Sequence, residues 1–384
     1  MKISKLLMAG IAALLVSSCS DNDEPAGVGL SQKEQTLKSA TEAYVEHTVR
    51  PTYSAMADAA IRMRDLCNTI QEKHAAGTLA SGDIKAAGEA WKEARKSWEL
   101  SEAFLFGPAA NHNIDPHIDS WPLDKAAMDN LLVQIRNGNQ WSLENNGGYG
   151  LIGFHAVEYM LFELSADENT ALVHSADYTP EELEYLVAVA EDLCQQCVCL
   201  EACWVGTENV SKAKQDILED AELDYSENYG WEMMNAGQPG SRFKTYQEAA
   251  EEIIQGCIDI ADEVGNTKIG RPHIGSSQED KNYIESPYSL NSIEDFADNI
   301  RSIKNAYLGS HSGDASVSDY VKSLSPESDT AVRNAIDNAI AAIEAIPEPF
   351  AKNATGALAE TAMKAAGDTL VEALENANSV ITRL

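Results

Sequence analysis

The sequence predicts an all-α protein whose helices pack as bundles, and three observations predict it. Apolar residues recur at helical spacing through most of the chain. Capping residues, prolines and glycines punctuate that pattern where helices should start and stop. No β-branched run alternates between turn pairs in the way a sheet requires. With 384 residues and 44% hydrophobic content, the chain can bury a large core, and its length predicts two domains.

Residues 31–76 are alanine-rich with helical periodicity, kinked or broken at Pro51, which lacks a backbone donor and crowds the preceding turn. Residues 82–106 repeat the pattern and stop at Gly107-Pro108. Thr179-Pro180-Glu181-Glu182 is a helix start, with Thr179 as cap, Pro180 in the first turn and Glu182 closing a capping box. That helix should run to about residue 203. Another spans 243–264 and ends before Gly265-Asn266. Ser292-Ile293-Glu294-Asp295 resembles a second capping box and opens a helix ending near Gly309. Ser325-Pro326-Glu327 opens one that runs to Ile346, before Pro347 and Pro349, and a last helix fills 350–382. Two stretches read as loops: the acidic 220–240, and 266–291, rich in Gly, Ser, Asn and Pro. Long loops in compact domains often carry function. The first of them marks a boundary, giving an N-terminal helical bundle over 36–215 and a C-terminal bundle over 216–384.

The N-terminus speaks to compartment. Lys2 and Lys5 precede a mostly apolar stretch, residues 6–16, that is too short to span a bilayer. Val16-Ser17-Ser18-Cys19 then resembles a lipobox, so residues 1–18 read as a lipoprotein signal peptide and Cys19 as the lipidated mature N-terminus. An ordinary signal peptide with an incidental cysteine is the alternative. A chain anchored in this way is tethered to a bacterial outer membrane, and touches the membrane through its lipid anchor only. Residues 19–35 form an acidic tether. Its Ser20-Asp21-Asn22-Asp23-Glu24 resembles the surface-export signal of lipoproteins in the Bacteroides group, with a solvated linker as the equal alternative.

Twenty-eight basic residues stand against 61 acidic ones, a formal charge of −33. Removing residues 1–18 takes away two lysines and no acid, and moves the balance from −33 to −35. So acidic a surface argues against nucleic acid and anionic lipid as partners, and favours cations in a general electrostatic sense. Beyond Cys19 there are six cysteines: Cys67, Cys194, Cys197, Cys199, Cys203 and Cys257. In a helix, 194/197 and 199/203 form two pairs on different faces. A bridge within a helix strains disulfide geometry, and the spread defeats a soft-metal cluster. These residues read as free, buried thiols acting as small hydrophobes.

The most informative stretch is Gly153-Phe154-His155-Ala156-Val157-Glu158. Residues three apart on a helix share a face, so His155 and Glu158 can point at one small object. Imidazole nitrogen plus carboxylate oxygen suits iron or zinc better than magnesium or calcium. Spacing alone is also met by a simple hydrogen-bonded pair. Glu102, in the apolar run Ser101-Glu102-Ala103-Phe104, needs a partner if buried. Asp119, ahead of Trp121-Pro122, reads as a third oxygen ligand or as a turn-former. Glu285, Ser286 and Ser289 offer oxygens for a hard cation and precede a helix N-terminus, although capping alone would explain the serines. Arg95 and Arg301 lie on bordering helices, where a buried arginine would be a counter-ion to Glu102 or Glu285. His112, Asp115 and His117 are secondary candidates.

Taken in order, these segments resemble the imelysin-like lipoproteins, whose signature is Gly-x-His-x-x-Glu, from about residue 38 to the C-terminus. The resemblance implies two related four-helix bundles packed together, with the signature where they meet. It also implies a bound metal ion or metal-bearing ligand in iron uptake, alongside outer-membrane uptake components. His155, Glu158 and Glu102 are then the expected metal residues, and Asp119, Glu285, Ser286 and Ser289 the expected ligand-binding ones. Iron is the first expectation for the metal, with zinc or calcium as alternatives. The family also carries a peptidase label. This chain has neither His-Glu-x-x-His nor Gly-x-Ser-x-Gly, so a metallopeptidase is the alternative reading and a non-enzymatic surface interaction module the third.

Overall fold

The computed structural model describes residues 30–382 apart from Gly147. The signal peptide, Cys19 and the acidic run that follows it lie outside the described residues. We number the principal helices α1 (Gln32–Tyr44), α2 (Arg50–Ala75), α3 (Ser81–Glu99), α4 (Gly153–Leu161), α5 (Pro180–Val205), α6 (Tyr246–Asp262), α7 (Ser292–Leu308), α8 (Pro326–Glu344), α9 (Ala357–Lys364) and α10 (Val371–Thr382).

Two rings of four helices organise them. In the first, α2 packs on α3 and α5, and α4 closes the ring against the same two. In the second, α6 packs on α7 and α10, and α8 closes against those. The rings meet where α3 crosses α7, and one apolar core runs through both. Helix α1 belongs spatially to the second ring, lying against α6. The only sheet among the described residues is a hairpin of β1 (Phe162–Leu164) and β2 (Ala171–Val173), antiparallel with Phe162 opposite Val173. No described helix is long and apolar enough to cross a membrane.

Local chemistry explains where helices run on or stop. Pro51 does not break the first helix. A π-turn, Val45–Val49, precedes it and joins α1 to α2, absorbing the missing donor. Helix α3 ends at Glu99 instead of 106, because the Ser101 amide and hydroxyl both donate to the Trp98 carbonyl at 2.7 Å. Glu102 therefore sits in a following 3-10 turn, Glu102–Phe104. The Thr179 capping box forms, the Thr179 amide donating to Glu182 Oε2 at 2.7 Å. The Ser292 box does not. Ser292 donates instead to the Glu285 carbonyl, and Asp295 turns inward.

The expected stop at Gly265 is corrected. The chain continues through a π-turn, Glu263–Ile269, into Gly270–Ile274. A Cβ on Gly265 would lie 2.3 Å from Gly367 Cα, so this glycine lets two backbones touch and does not terminate a helix. Gly367 lies in another π-turn, Ala365–Leu370, between α9 and α10. The last helix expected over 350–382 is accordingly interrupted there and at Gly356. The stretch 220–240 holds a short helix, Tyr229–Met234. All six described cysteines are unpaired and buried.

Candidate functional site

Where α3 meets α7, the apolar core gives way to a buried knot of charge. Arg95 on α3 is fully buried, and its guanidinium faces carboxylates from four separate segments. Nη2 lies 2.6 Å from Glu99 Oε1 and 2.6 Å from Glu285 Oε1, Nε lies 3.2 Å from Asp295 Oδ2, and Nη1 pairs with Asp119 Oδ1. The second cation is Lys268, delivered by the π-turn after α6. Its Nζ lies 3.1 Å from Glu285 Oε1, 3.2 Å from Glu102 Oε1 and 3.7 Å from Glu99 Oε2, and 5.1 Å over the Trp121 ring. Isolated charges at such depth would be prohibitively costly, so each depends on its opposite.

The signature helix α4 approaches from one side. Gly153 has φ +77, and a Cβ there would lie 2.2 Å from the Ile118 carbonyl oxygen. Only glycine lets α4 begin against the Asp119 segment. His155 Nε2 thereby comes within 3.0 Å of Asp119 Oδ1, an ion-pair distance without the alignment of a hydrogen bond. Its Nδ1 lies 3.2 Å from Glu158 Oε2. The other Glu158 oxygen accepts the Tyr288 amide at 3.0 Å, the Ser289 amide at 2.7 Å and the Ser289 hydroxyl at 2.7 Å. Both oxygens of Glu158 are thus in use. The pair does not converge on one external point: Glu158 grips His155 through Nδ1 and turns Nε2 towards Asp119, the way a carboxylate orients an imidazole at metal sites. Trp98 Nε1 donates to Asp119 Oδ2 at 2.7 Å and fixes that carboxylate in turn.

The balance of charge is uneven. Glu99, Glu102, Asp119, Glu158, Glu285 and Asp295 face only Arg95, Lys268 and His155, all buried. Burial pushes the carboxyls of Glu99, Glu102, Glu285 and Asp295 up, and the two cations offset this only in part. Asp119 moves the other way: burial would raise it, but Arg95 and then His155 hold it below the usual carboxylate range. Burial also works against a charged His155, yet Asp119 and Glu158 carry its pKa up to about 9. Four buried atoms of the knot, Glu99 Oε1, Trp121 Nε1, His155 Nε2 and Glu285 Oε2, make no hydrogen bond. Ligand atoms of Asp119, His155 and Glu285 lie within 4.8 Å of one another, as do those of Glu99, Glu102 and Asp119. Such sets fit a cation with mixed oxygen and nitrogen ligands.

Two cavities reach this knot, and Trp121 lines both. The larger, about 510 Å³, is lined by His155, Glu158, Trp121, Ile284, Tyr288 and Lys281 among others. The smaller, about 180 Å³, is acidic, with Glu102, Asp115, Asp119 and Glu263 in its wall. Burial, then Asp119, pushes Asp115 up to about 7.

A family model described as Imelysin matches residues 30–381. The chain belongs to the imelysin family. Among imelysin relatives, Iron-regulated protein A of Synechococcus elongatus is 28% identical over 338 residues, covering 85% of this chain and 83% of that protein. A crystal structure from Parabacteroides distasonis, assigned provisionally as an iron-regulated protein A precursor, is 28% identical. It superposes with a TM-score of 0.76 over 92% of this chain and 97% of that one. An imelysin-like protein of Psychrobacter arcticum, 13% identical, matches with a TM-score of 0.56 over 92% and 94%, which shows the fold alone.

The imelysin signature is one wall of a site that most of the expected residues share. His155, Glu158, Glu102, Asp119, Glu285, Ser286 and Ser289 all lie in or against the knot, with Ser286 Oγ donating to Asp295 Oδ2. Asp115 joins them through the acidic cavity. His112 and His117 do not: they pair with Glu227 at 2.8 Å and Asp192 at 3.0 Å. Arg301 points outward to Glu294, Asp298 and Glu344. Three members escape the sequence reading: Glu99, Asp295 and Lys268. The i,i+4 spacing of Arg95 and Glu99 could have flagged the first. Asp295 hides behind a capping pattern, and Lys268 behind a Gly/Asn-rich stretch that reads as a loop.

Proposed function

We propose that the junction knot binds a cation, iron or an iron-bearing ligand, and that this is the protein's working part in iron uptake. The observation that carries the proposal is the imbalance of buried groups: six acidic side chains face three basic ones, and burial pushes four of those carboxyls up for want of a compensating cation. A bound metal ion would supply the missing positive charge, with Asp119, Glu285 and, once its proton has left, His155 as its first ligands. That His155 Nε2 and Glu285 Oε2 make no hydrogen bond supports the fit. A cavity of about 510 Å³ beside His155 is far larger than a bare ion and has the size of small-molecule sites, which supports an iron-bearing ligand. The names of the Synechococcus and Parabacteroides relatives point the same way. The lipobox at Val16-Ser17-Ser18-Cys19 supports an envelope lipoprotein, tethered through Cys19 and working beside outer-membrane uptake components.

The test is metal uptake by equilibrium dialysis with ferrous, ferric and zinc ions, and with a ferric chelate. Wild type should retain iron, and Asp119→Asn and His155→Ala should lose it. Equal uptake by all three proteins would remove the site from this position.

A further inference from the structure

We infer that His47, His311 and Asp314 form a second, surface site for a borderline transition-metal ion such as zinc. His47 lies in the π-turn between α1 and α2, and His311 and Asp314 lie in the loop after α7. These segments are more than 260 residues apart in the chain, and their three side chains bring ligand atoms within 4.8 Å of one another. His47 Nδ1 is 2.8 Å from Asp314 Oδ2, and His311 Nδ1 is 3.6 Å from the same oxygen. Two ligands each about 2.0–2.1 Å from a tetrahedral zinc stand about 3.3 Å apart. The two spacings to Asp314 bracket that value, and the histidine ligand atoms lie within 4.8 Å of each other, so small side-chain rotations of the two exposed rings would seat the ion. The two rings cross edge to face, 5.3 Å between centroids, so neither ring covers the other.

The surroundings hold this arrangement in place. One residue along from His47 and one before His311, Thr48 Oγ1 and Ser310 Oγ hydrogen-bond at 2.7 Å and tie the two segments together. Gly309 and Gly313, both at positive φ, turn the loop on either side of His311, and the Asp314 amide donates to the His311 carbonyl at 3.3 Å. The Asp314 side chain is 16% exposed and anchored, whereas His47 and His311 are 48% and 64% exposed. Open coordination positions would therefore face solvent. π-Turns inside helices recur at functional sites, and this one carries a ligand. Two imidazoles with one carboxylate suit zinc, copper or nickel, while the carboxylate-rich junction favours a harder ion. An ion here would pin the α1–α2 hinge to the second ring.

The test uses the metal-stripped protein titrated with zinc, and with cobalt as a visible reporter of coordination. Wild type should bind one zinc equivalent more than His47→Gln or His311→Gln, with that equivalent weakened about tenfold or more in each variant. The cobalt absorption band should vanish with it. Both side chains are exposed, and unchanged circular dichroism will show that the variants fold. Asp119→Asn, a change at the junction, should retain this equivalent. Identical stoichiometry and cobalt spectra in wild type and both variants would overturn the inference, whether no zinc binds or zinc binds elsewhere, such as at His112, Cys203 and Glu227.

Discussion

Arg95 shows how one residue can hold a junction. It is buried and faces Glu99, Asp119, Glu285 and Asp295 at once. Replacing it with methionine keeps the volume but strands four carboxylates, and stripping one partner from a buried ion pair costs about 3–5 kcal/mol. Arg95→Met should therefore unfold at markedly lower urea, while Lys304→Met, whose pair with Asp337 is solvated, should change stability by about 1 kcal/mol or less. His155 supplies a pH signature. Its pKa stands at about 9 in the folded chain against an ordinary 6.5, so the folded state holds the proton more tightly. Its contribution to stability is complete below about 6.5 and is lost as pH rises through about 9. Melting temperatures of the metal-free protein should fall across that window, and less steeply in His155→Gln.

At the scale of elements, glycines and π-turns decide how closely helices approach. Gly265 and Gly367 allow two π-turns to touch, and that contact places Lys268 under the knot. Gly265→Ala forces a methyl into backbone and should cost about 1–3 kcal/mol, as overpacked cores do. Thermal melts would register the loss, and iron uptake should weaken in the same variant because Lys268 moves. Helix α5 carries four buried cysteines, in two pairs on different faces. Burial pushes the thiols of Cys67 and Cys194 up to about 12, in Cys194 with a small opposing pull from Arg64. A thiol reagent at pH 8 should therefore leave the six cysteines from 67 to 257 untouched in the native protein and modify them all in denaturant, as read by mass.

For the whole molecule, the site spans both rings: His155 and Glu158 come from α4, and Glu285 and Ser289 from the segment leading into α7. A ligand shared in this way should stabilise the fold by about 2.7 kcal/mol at a hundredfold excess over its dissociation constant. Iron should raise the melting temperature, and both Glu158→Ala and Glu285→Ala should diminish the rise. A rise unchanged in Glu285→Ala but abolished in Glu158→Ala would confine the site to the first ring. Since burial pushes several of the carboxyls up, binding should also release protons, measurable as acidification of an unbuffered solution.

What the sequence determined by itself is periodic and local. Helical spacing specifies an all-α chain, and capping residues such as Thr179 and Glu182 set helix starts, because these effects act within a turn or two of the backbone. The Gly-x-His-x-x-Glu signature was legible for the same reason, being a single helical turn. Tertiary structure alone decided which charges meet. Lys268 is 166 residues from Glu102, and Arg95 is 190 from Glu285. No local pattern distinguishes a lysine destined for the interior from one on the surface. It also decided that Glu158 holds His155 instead of sharing a ligand with it, because the amides that occupy its other oxygen, Tyr288 and Ser289, lie about 130 residues away. Buried charge is stable only beside its opposite, and the packing of two bundles is what sets one beside the other.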